Sequence, residues 1–247
     1  LESLSCLSND LTSLNLSNNT ALESINCNNN DLIGINLKNG NNTIITTFEA
    51  TGNSNLTCIQ VEDEAYSTTN WTDIDAQTSF SEDCHYNDTY VPDDNFEQAL
   101  INLGYDTAPL NDYVPTATIE VILNLNVNGN TIADATGIED FEALQTLSIS
   151  NNTLTEIDIS KNVNLETLNV SNNNLSSLDV SSNTAIETLN VSGNSLTTLN
   201  VTANTNLSDL NISNNNFTEF DAGLIPTLQS FNCDENTIVA LNFTTNT

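Results

Sequence analysis

Few side chains in this sequence could do chemistry, and most of those that could are carboxylates. The 247 residues contain 33 aspartates and glutamates but a single histidine, His85, which directly follows Cys84. No zinc-protease, Cys-x-x-Cys, Gly-x-Ser-x-Gly, phosphate-loop or calcium-loop motif is present. Two carboxylates suffice for glycoside hydrolysis, but no pattern places one acid beside another in a buried cleft. The sequence therefore predicts no catalytic residue and no enzymatic activity.

The charge balance limits the partners. Lys38 and Lys161 are the only basic residues, arginine is absent, and the formal net charge is −31. Nucleic acid, anionic lipid and nucleotide phosphates need Lys or Arg for neutralisation, so we expect none of them as a partner. No apolar stretch reaches the length of a membrane span, and direct membrane insertion is not expected. Cations, proteins and neutral polymers remain as ligands.

A period of 21 residues organises most of the chain. The stretch "LETLNVSNNNLSSLDVSSNTA" at residues 165–185 has a first half of the form LxxLxVxxNxL and a second half of the form xxLDVSxNxx. Each half alternates apolar and polar residues, which predicts a short strand with one buried face. One such coil buries too little apolar surface to fold alone, so successive coils must stack. The leading apolar position is occupied without a slip by Leu144, Leu165, Ile186, Leu207 and Leu228.

The asparagine in each first half predicts an internal ladder. A buried amide can pair with backbone groups of its own turn and of the next coil, which would otherwise remain unpaired. Residues 1–57 carry the same phase, so we expect two arrays, residues 1–57 and residues 121–247. The ladder positions are Asn9, Asn30 and Asn53 in the first array and Asn152, Asn173, Asn194, Asn215 and Asn236 in the second.

These motifs resemble a known family. LxxLxVxxNxL is the signature of leucine-rich repeats, and the form with an LDV second half is similar to the bacterial class called IRREKO. The resemblance covers residues 1–57 and about 121–247. It implies a right-handed parallel solenoid, made mainly of short parallel β-strands and turns with little helix. "IADATGIEDF" is similar to repeats of internalin-like surface proteins, and "VPDDNFEQALINLGYD" resembles surface proteins of marine flavobacteria (Bacteroidetes). Both similarities imply export to the cell surface.

Residues 58–87 are expected to cap the first array. The period is lost there, and Cys58 and Cys84 bracket an acidic segment that holds the only tryptophan, Trp71. We predict a disulfide between these two cysteines, which suits an extracellular setting. The other three cysteines fall at an inward apolar position of the repeat, where a thiol acts as a small hydrophobic group: Cys6, Cys27 and Cys233.

Residues 88–120 are expected to cap the start of the second array. A helix is predicted at residues 94–103, with Asp94 and Glu97 as a capping box and Gly104 as the helix stop. The repeats of residues 121–247 follow directly.

The outward positions of the second array provide the candidate binding face. Stacked coils repeat each outward position about every 4.8 Å, so identical side chains form rows. We expect the contact surface along the rows that include Thr167, Asn169, Thr188, Asn190, Asp209, Asn211 and Asn232. The phenylalanines of the repeats (Phe217, Phe220, Phe231 and Phe243) replace core residues and are expected to point inward, so these rows offer no aromatic platform.

The sequence also suggests a cation site and a glycosylation site. Asp158 and Asp179 occupy equivalent positions of adjacent coils, and stacked like charges favour a bound cation such as calcium. No other cofactor is expected. The tripeptide Asp106–Ala108 resembles the O-glycosylation motif of Bacteroidetes, which implies Thr107 as the glycan acceptor.

The leading interpretation is a non-enzymatic, extracellular leucine-rich-repeat module that mediates adhesion or protein–protein interaction at a bacterial cell surface. The first alternative is a carbohydrate-binding module of a polysaccharide-degrading bacterium, which would use Trp71 or the tyrosines of the cap. The second alternative is a structural spacer that binds nothing specific.

Overall fold

The chain folds as two stacks of coils, one in Leu1–Tyr86 and one in Asn87–Thr247. A computed structural model describes residues 1–85 and 87–243. Among these residues, no helix combines the length and apolar character that a membrane span requires. Each stack has its own core, because the inward leucines, isoleucines and valines of one coil pack on those of the next.

The first unit contains two parallel sheets, and each coil supplies one strand to each of them. The odd-numbered strands form the sheet β1-β3-β5-β7 and the even-numbered strands form the sheet β2-β4-β6-β8. One α-helix, α1 (Glu64–Asn70), and one 3-10 helix (Asn42–Ile44) lie between strands. The strands are β1 (Ser3–Ser5), β2 (Ser13–Asn15), β3 (Ser24–Asn26), β4 (Gly34–Asn36), β5 (Thr47–Ala50), β6 (Cys58–Gln60), β7 (Asp73–Ile74) and β8 (Ser79–Ser81).

The sheets of the first unit extend beyond residue 57, where the sequence pattern becomes hard to recognise. Ile59 pairs in register with Ile35, and Phe80 pairs with Ile59, so both occupy inward positions of the coil. Cys58 and Cys84 form a disulfide across this last part of the unit. Trp71 is only 3% exposed and its ring centroid lies 5.0 Å from that of Phe48. The expectation that Trp71 could stack on a sugar is therefore wrong, because its ring belongs to the core.

The second unit begins with a small capping region and continues as a six-stranded parallel sheet, β11-β12-β13-β14-β15-β17. The capping region holds the antiparallel pair β9 (Asp88–Tyr90) and β10 (Tyr113–Pro115) with the helices α2 (Asp94–Leu103) and α3 (Thr116–Ile119). Strands β16 and β18 form a separate two-stranded parallel sheet. The remaining strands are β11 (Asn124–Asn126), β12 (Thr146–Ser148), β13 (Thr167–Asn169), β14 (Thr188–Asn190), β15 (Asp209–Asn211), β16 (Glu219–Asp221), β17 (Ser230–Asn232) and β18 (Ala240–Asn242), with 3-10 helices at Ile138–Asp140 and Ala222–Leu224.

Helix α2 has the bounds that the sequence predicts, but its N-cap is Asp93 and not Asp94. The Asp93 carboxylate accepts hydrogen bonds from the backbone N–H groups of Asn95 and Phe96. Glu97 does not close a capping box, because its buried carboxylate accepts the N–H groups of Asn111 and Asp112 instead. The helix ends at Gly104, which adopts the left-handed conformation with φ 79°.

Replacing Asp93 with alanine is expected to lower the free energy of unfolding by about 1–2 kcal/mol, as for other N-caps. The second oxygen of Asp93 also accepts the N–H groups of Ala133 and Asp134, so the substitution loosens the capping helix from the first coil. Urea denaturation followed by circular dichroism measures the loss. Asp94→Ala is the matched control, expected to change stability by about 0.5 kcal/mol or less. Equal losses in the two variants would contradict the assignment.

The asparagine ladder is present in both units. Asn173 is representative: its Nδ2 donates to the carbonyls of Ile149 and Val170, both at 3.0 Å, and its Oδ1 accepts the N–H of Leu154 at 3.1 Å. The residue before each ladder asparagine takes the left-handed conformation, which asparagine and glycine tolerate best. These residues are Ser8, Asn29, Gly52, Asn151, Asn172, Gly193, Asn214 and Glu235.

A second asparagine ladder runs through the other half of three successive coils in the second unit. The Nδ2 of Asn183 donates to the carbonyls of Ile159 and Asn162, both at 2.9 Å. Asn162 and Asn204 repeat this arrangement one coil before and one coil after. All three side chains are fully or almost fully buried. In these three coils, side-chain amides therefore supply hydrogen bonds to the preceding coil that strand pairing supplies in the sheet β2-β4-β6-β8 and between β16 and β18.

The burial of the repeat phenylalanines decreases toward the last described coil. Phe217 is fully buried, Phe220 is buried, and Phe231 packs partly against the same core. Phe243 is 44% exposed although its ring centroid lies 5.9 Å from that of Phe231, so it contacts the inward ring of the preceding coil without being buried. It lies in the last described coil, which no other described coil covers.

Candidate functional site

The outward rows of the six-stranded sheet form one continuous polar face. Strands β12, β13, β14, β15 and β17 pair without a shift, so Thr167 lies opposite Thr188 and Asn169 lies opposite Asn190. The central residue of each strand is buried or partly buried, which turns its two neighbours outward. We call these rows the polar sheet face: Thr146, Thr167, Thr188, Asp209 and Ser230, and Ser148, Asn169, Asn190, Asn211 and Asn232.

The asparagines of the polar sheet face are held in one orientation by the turn that follows each strand. The Oδ1 of Asn169 accepts the N–H of Ser171 at 3.1 Å, and the Oδ1 of Asn190 accepts the N–H of Ser192 at 3.1 Å. Asn211 and Asn232 accept equivalent bonds from the second residue after them. Such Asx turns fix the amide plane. Within the described part of the chain, no protein acceptor pairs with the Nδ2 groups of these four asparagines, which are left as outward donors.

Acidic residues surround these donors. Asp209 lies in the face itself, where its carboxylate accepts the hydroxyl of Ser208 at 3.1 Å. Glu166 and Glu187 are exposed directly before strands β13 and β14. Lys161 is the only basic residue between residues 87 and 247. The face therefore favours partners that bring hydrogen-bond acceptors together with positive charge.

Asp158 and Asp179 are held by their own turns. Hydrogen bonds from the backbone N–H and then the hydroxyl of Ser160 lower the pKa of Asp158 below its usual value. Hydrogen bonds from the hydroxyl and the backbone N–H of Ser181 lower the pKa of Asp179 in the same way. Both groups are exposed, and the position is occupied by Asp or Asn because it caps the turn. The pair therefore has a structural reason to exist without a cation.

Three acidic groups converge at another place in the described residues. Ligand oxygens of Asp94, Glu97 and Asp112 lie within 4.8 Å of one another. Both carboxylate oxygens of Glu97 already accept backbone N–H groups, so this cluster is built to hold a loop against helix α2. Asp158 and Asp179 have no such third acid among the described residues.

Thr107 lies on an exposed loop of the capping region and is accessible to modification. The preceding residue, Asp106, has one buried carboxylate oxygen without a hydrogen-bond partner in the described structure. Burial raises the pKa of Asp106, and the charge of Asp88 adds to the effect. Thr107 remains a proposed glycan acceptor, which the intact mass of the natively exported protein would test.

The capping region carries an exposed aromatic pair, which the polar sheet face lacks. The rings of Tyr90 and Tyr113 have centroids 5.4 Å apart, and Tyr90 is 49% exposed. The sequence points instead to the tyrosines of residues 58–87, of which Tyr66 packs partly against the core of the first unit and Tyr86 lies outside the described residues. The pair across β9 and β10 is not predicted from the sequence.

The cysteines outside the disulfide are core residues. Cys27 is fully buried, and burial together with the neighbouring Cys6 raises its pKa to about 12. Burial also raises the pKa of Cys6 and of Cys233, whose side chains are partly exposed. A thiol with a raised pKa is a poor nucleophile, so these residues act as hydrophobic groups.

Comparison with known proteins agrees with the coil geometry. A family model described as Leucine Rich Repeat matches residues 164–184 and 206–231. The functional domain of InlJ from Listeria monocytogenes, described as including a cysteine ladder, is 23% identical with a TM-score of 0.32, and the alignment covers 64% of this chain and 49% of that domain. This chain thus spans about half the length of the InlJ domain.

Two further solved structures are similar over nearly the whole chain. Internalin C2 from L. monocytogenes is 17% identical with a TM-score of 0.43, covering 97% of this chain and 80% of that chain. A leucine-rich-repeat protein of Leptospira interrogans is 20% identical with a TM-score of 0.42, and the alignment covers 98% of this chain and 62% of that chain. No curated protein matches the sequence significantly. The coils have the leucine-rich-repeat fold, as the matching family model and the stacked parallel strands show.

Proposed function

We propose that this chain is a non-enzymatic module that acts by protein–protein interaction, with the polar sheet face as its contact surface. The observation that carries the proposal is the row of asparagines whose Oδ1 atoms are fixed by turns and whose Nδ2 groups point outward. Because the donors are already oriented, binding orders few side chains and loses little conformational entropy. A partner meets a regular array of donors flanked by carboxylates.

The setting that we propose is the surface of a bacterial cell, where the module would serve in adhesion. The disulfide between Cys58 and Cys84 suits an oxidising extracellular environment. The large negative charge keeps the chain soluble and directs it toward partners with positive surfaces. The likeness of its capping segments to bacterial surface proteins supports the same setting.

The test is binding of the fluorescently labelled chain to a panel of intact bacterial and animal cells. One portion of each cell sample is treated with protease, and another with periodate, which destroys sugar diols. We expect saturable binding that protease abolishes and periodate leaves intact. The double variant Asn190→Arg/Asn211→Arg should lose at least about tenfold in affinity, a loss of about 1.4 kcal/mol. The control Asn174→Arg/Asn216→Arg adds the same charge at exposed asparagines outside the face and should bind normally.

Other outcomes favour other functions. Binding that is sensitive to periodate and lost in Tyr90→Ala would support the carbohydrate-binding alternative, which the exposed ring pair of Tyr90 and Tyr113 favours. Absence of saturable binding to every cell type would support the structural spacer. Equal losses in the two arginine double variants would show that charge alone matters and would overturn the role of the polar sheet face.

Calcium is a separate part of the proposal. Repeating the binding measurement with chelator, and with Asp158→Asn/Asp179→Asn, tests whether the two carboxylates hold a cation. Asparagine keeps the turn-capping oxygen, so these variants remove charge while the turn persists. Chelator-sensitive binding that these variants also abolish would support a calcium site, and binding unaffected by either treatment would exclude one.

A further inference from the structure

A groove with an apolar floor lies away from the polar sheet face, near the end of the second unit. Its volume is about 500 Å³, and it lies between two successive coils. The segment 197–201 lines one wall and the segment 217–221 lines the other, and residues 240–242, which pair with 219–221, also contribute to the lining. Leu199 and Phe220 contribute to the floor, and Glu219 and Asp221 line the wall on the side of β16. We call this cavity the inter-coil groove.

The wall formed by β16 presents an open strand edge. Strand β16 pairs with β18 on one side, and no other described strand pairs with it. The N–H of Val239 donates to the carbonyl of Thr218 at 2.9 Å, so that carbonyl faces β18. Because backbone groups alternate along a strand, those of Phe220 face β18, and those of Glu219 and Asp221 face the groove. Residues 199–201 line the opposite wall without forming a strand.

An open strand edge beside an apolar floor is the arrangement used for strand addition, in which an extended peptide pairs its main chain with the edge. An added strand would alternate its side chains between the floor, on the side of Phe220, and the outer row of Glu219 and Asp221. Phe220 is 8% exposed and its ring stacks on that of Phe231 at 5.3 Å, so the floor is rigid. The two outer positions carry negative charge.

We propose that the inter-coil groove binds an extended peptide segment of another protein in which apolar and basic residues alternate. The negative charge of the groove favours a basic peptide over a second copy of this acidic chain. A second copy of this chain would bring a formal charge of −31 and two lysines, so two copies repel one another. Lysine or arginine side chains of the peptide would lie opposite Glu219 and Asp221 and neutralise their charge. No basic residue of this chain lines the groove. The binding weakens as ionic strength rises, because the charged row is exposed.

The experiment measures fluorescence anisotropy of a labelled peptide, acetyl-(Lys-Val)4-amide, titrated with the whole protein. Two further peptides carry N-methyl groups at alternate residues, one on every lysine and the other on every valine. An added strand turns alternate N–H groups toward the edge, so we expect one methylated peptide to lose at least about tenfold in affinity and the other to bind like the parent. The peptide acetyl-(Glu-Val)4-amide is expected not to bind.

Protein variants locate the site. Glu219→Lys is expected to weaken binding of the lysine peptide at least about tenfold, whereas Glu142→Lys, with the same charge change at an exposed residue outside the groove, should leave it within twofold. Asp221 is left unchanged because its carboxylate accepts the N–H of Gly223 in the following turn. Equal binding of both methylated peptides, binding of the glutamate peptide, or equal losses in the two lysine variants would each overturn the proposal. The arginine variants of the polar sheet face should bind the peptide normally, which separates this result from the test of the proposed function.

Discussion

Replacing Asn173 by alanine is expected to lower the free energy of unfolding of the second unit by about 3–5 kcal/mol. The side chain is 7% exposed, and its amide bonds backbone groups both of its own coil and of the preceding coil. Alanine leaves the N–H of Leu154 buried without a partner, which costs about 1–3 kcal/mol. It also removes one donor from each of the carbonyls of Ile149 and Val170, which keep their bonds from Asn152 and Asn194, and each lost bond costs about 0.5–1.5 kcal/mol. Urea denaturation followed by far-ultraviolet circular dichroism measures the change.

The adjacent residue supplies the control for Asn173. Asn174 is exposed, and its Nδ2 makes one bond of 3.3 Å to the carbonyl of Thr153. Asn174→Ala should therefore cost less than about 1 kcal/mol. The fluorescence of Trp71 reports the first unit, since this is the only tryptophan and it lies in that core. A loss in Asn173→Ala no larger than that in Asn174→Ala would show that the ladder contributes little to stability.

Removing the disulfide is expected to destabilise the first unit by about 3–4 kcal/mol. Cys58 and Cys84 are 26 residues apart in sequence, and the bond restricts the unfolded chain between them. The double variant Cys58→Ser/Cys84→Ser should show the loss as a lower urea midpoint of Trp71 fluorescence. Dithiothreitol should lower the midpoint of the parent protein to a similar value and leave the double variant unchanged. A midpoint in the double variant that matches the parent would mean that contacts within the native coils already hold this segment.

The repeating part of the fold could be predicted from the sequence because its pattern is local and periodic. Leu168 and Leu189 lie one period apart, and the structure pairs them in register. The ladder role of Asn173 also follows from its position, since a buried polar residue within a turn needs backbone partners. The outward direction of Thr167 and Asn169 follows from the same alternation. These features need no knowledge of distant contacts.

Features that depend on contacts between distant residues could not be predicted in the same way. The strands β6 and β8 continue the sheets although Ile59 and Phe80 stand in an unfamiliar sequence context, and only pairing with the preceding coil reveals them. Asp93 and Asp94 are equivalent as caps by sequence, and the bonds of Asp93 to Ala133 and Asp134 distinguish them.

The candidate site was predicted less completely than the fold. The sequence identifies the rows of the polar sheet face, but the Asx turns that orient Asn169 and Asn190 depend on the turn conformation. For Asp158 and Asp179, the sequence suggests a bound cation because two negative charges are stacked. The structure shows that each carboxylate accepts a hydrogen bond within its own turn. The second ladder, through Asn162, Asn183 and Asn204, was missed. Its signal was the asparagine that recurs in "SKN", "SSN" and "TAN" at the same phase.

The equal offset between ladder partners has a consequence for how such a chain can change its length. Asn173, Asn194 and Asn215 each donate from Nδ2 to the carbonyl 24 residues earlier, so one coil is interchangeable with the next. Deleting or duplicating 21 residues in this stretch would rejoin identical surfaces, so the rows on either side of the junction would stay aligned. The protein can thus lengthen or shorten in discrete steps of about 4.8 Å, carrying its rows of donors along unchanged. The length of the solenoid and the number of donors on its polar sheet face would then change together, by one coil at a time.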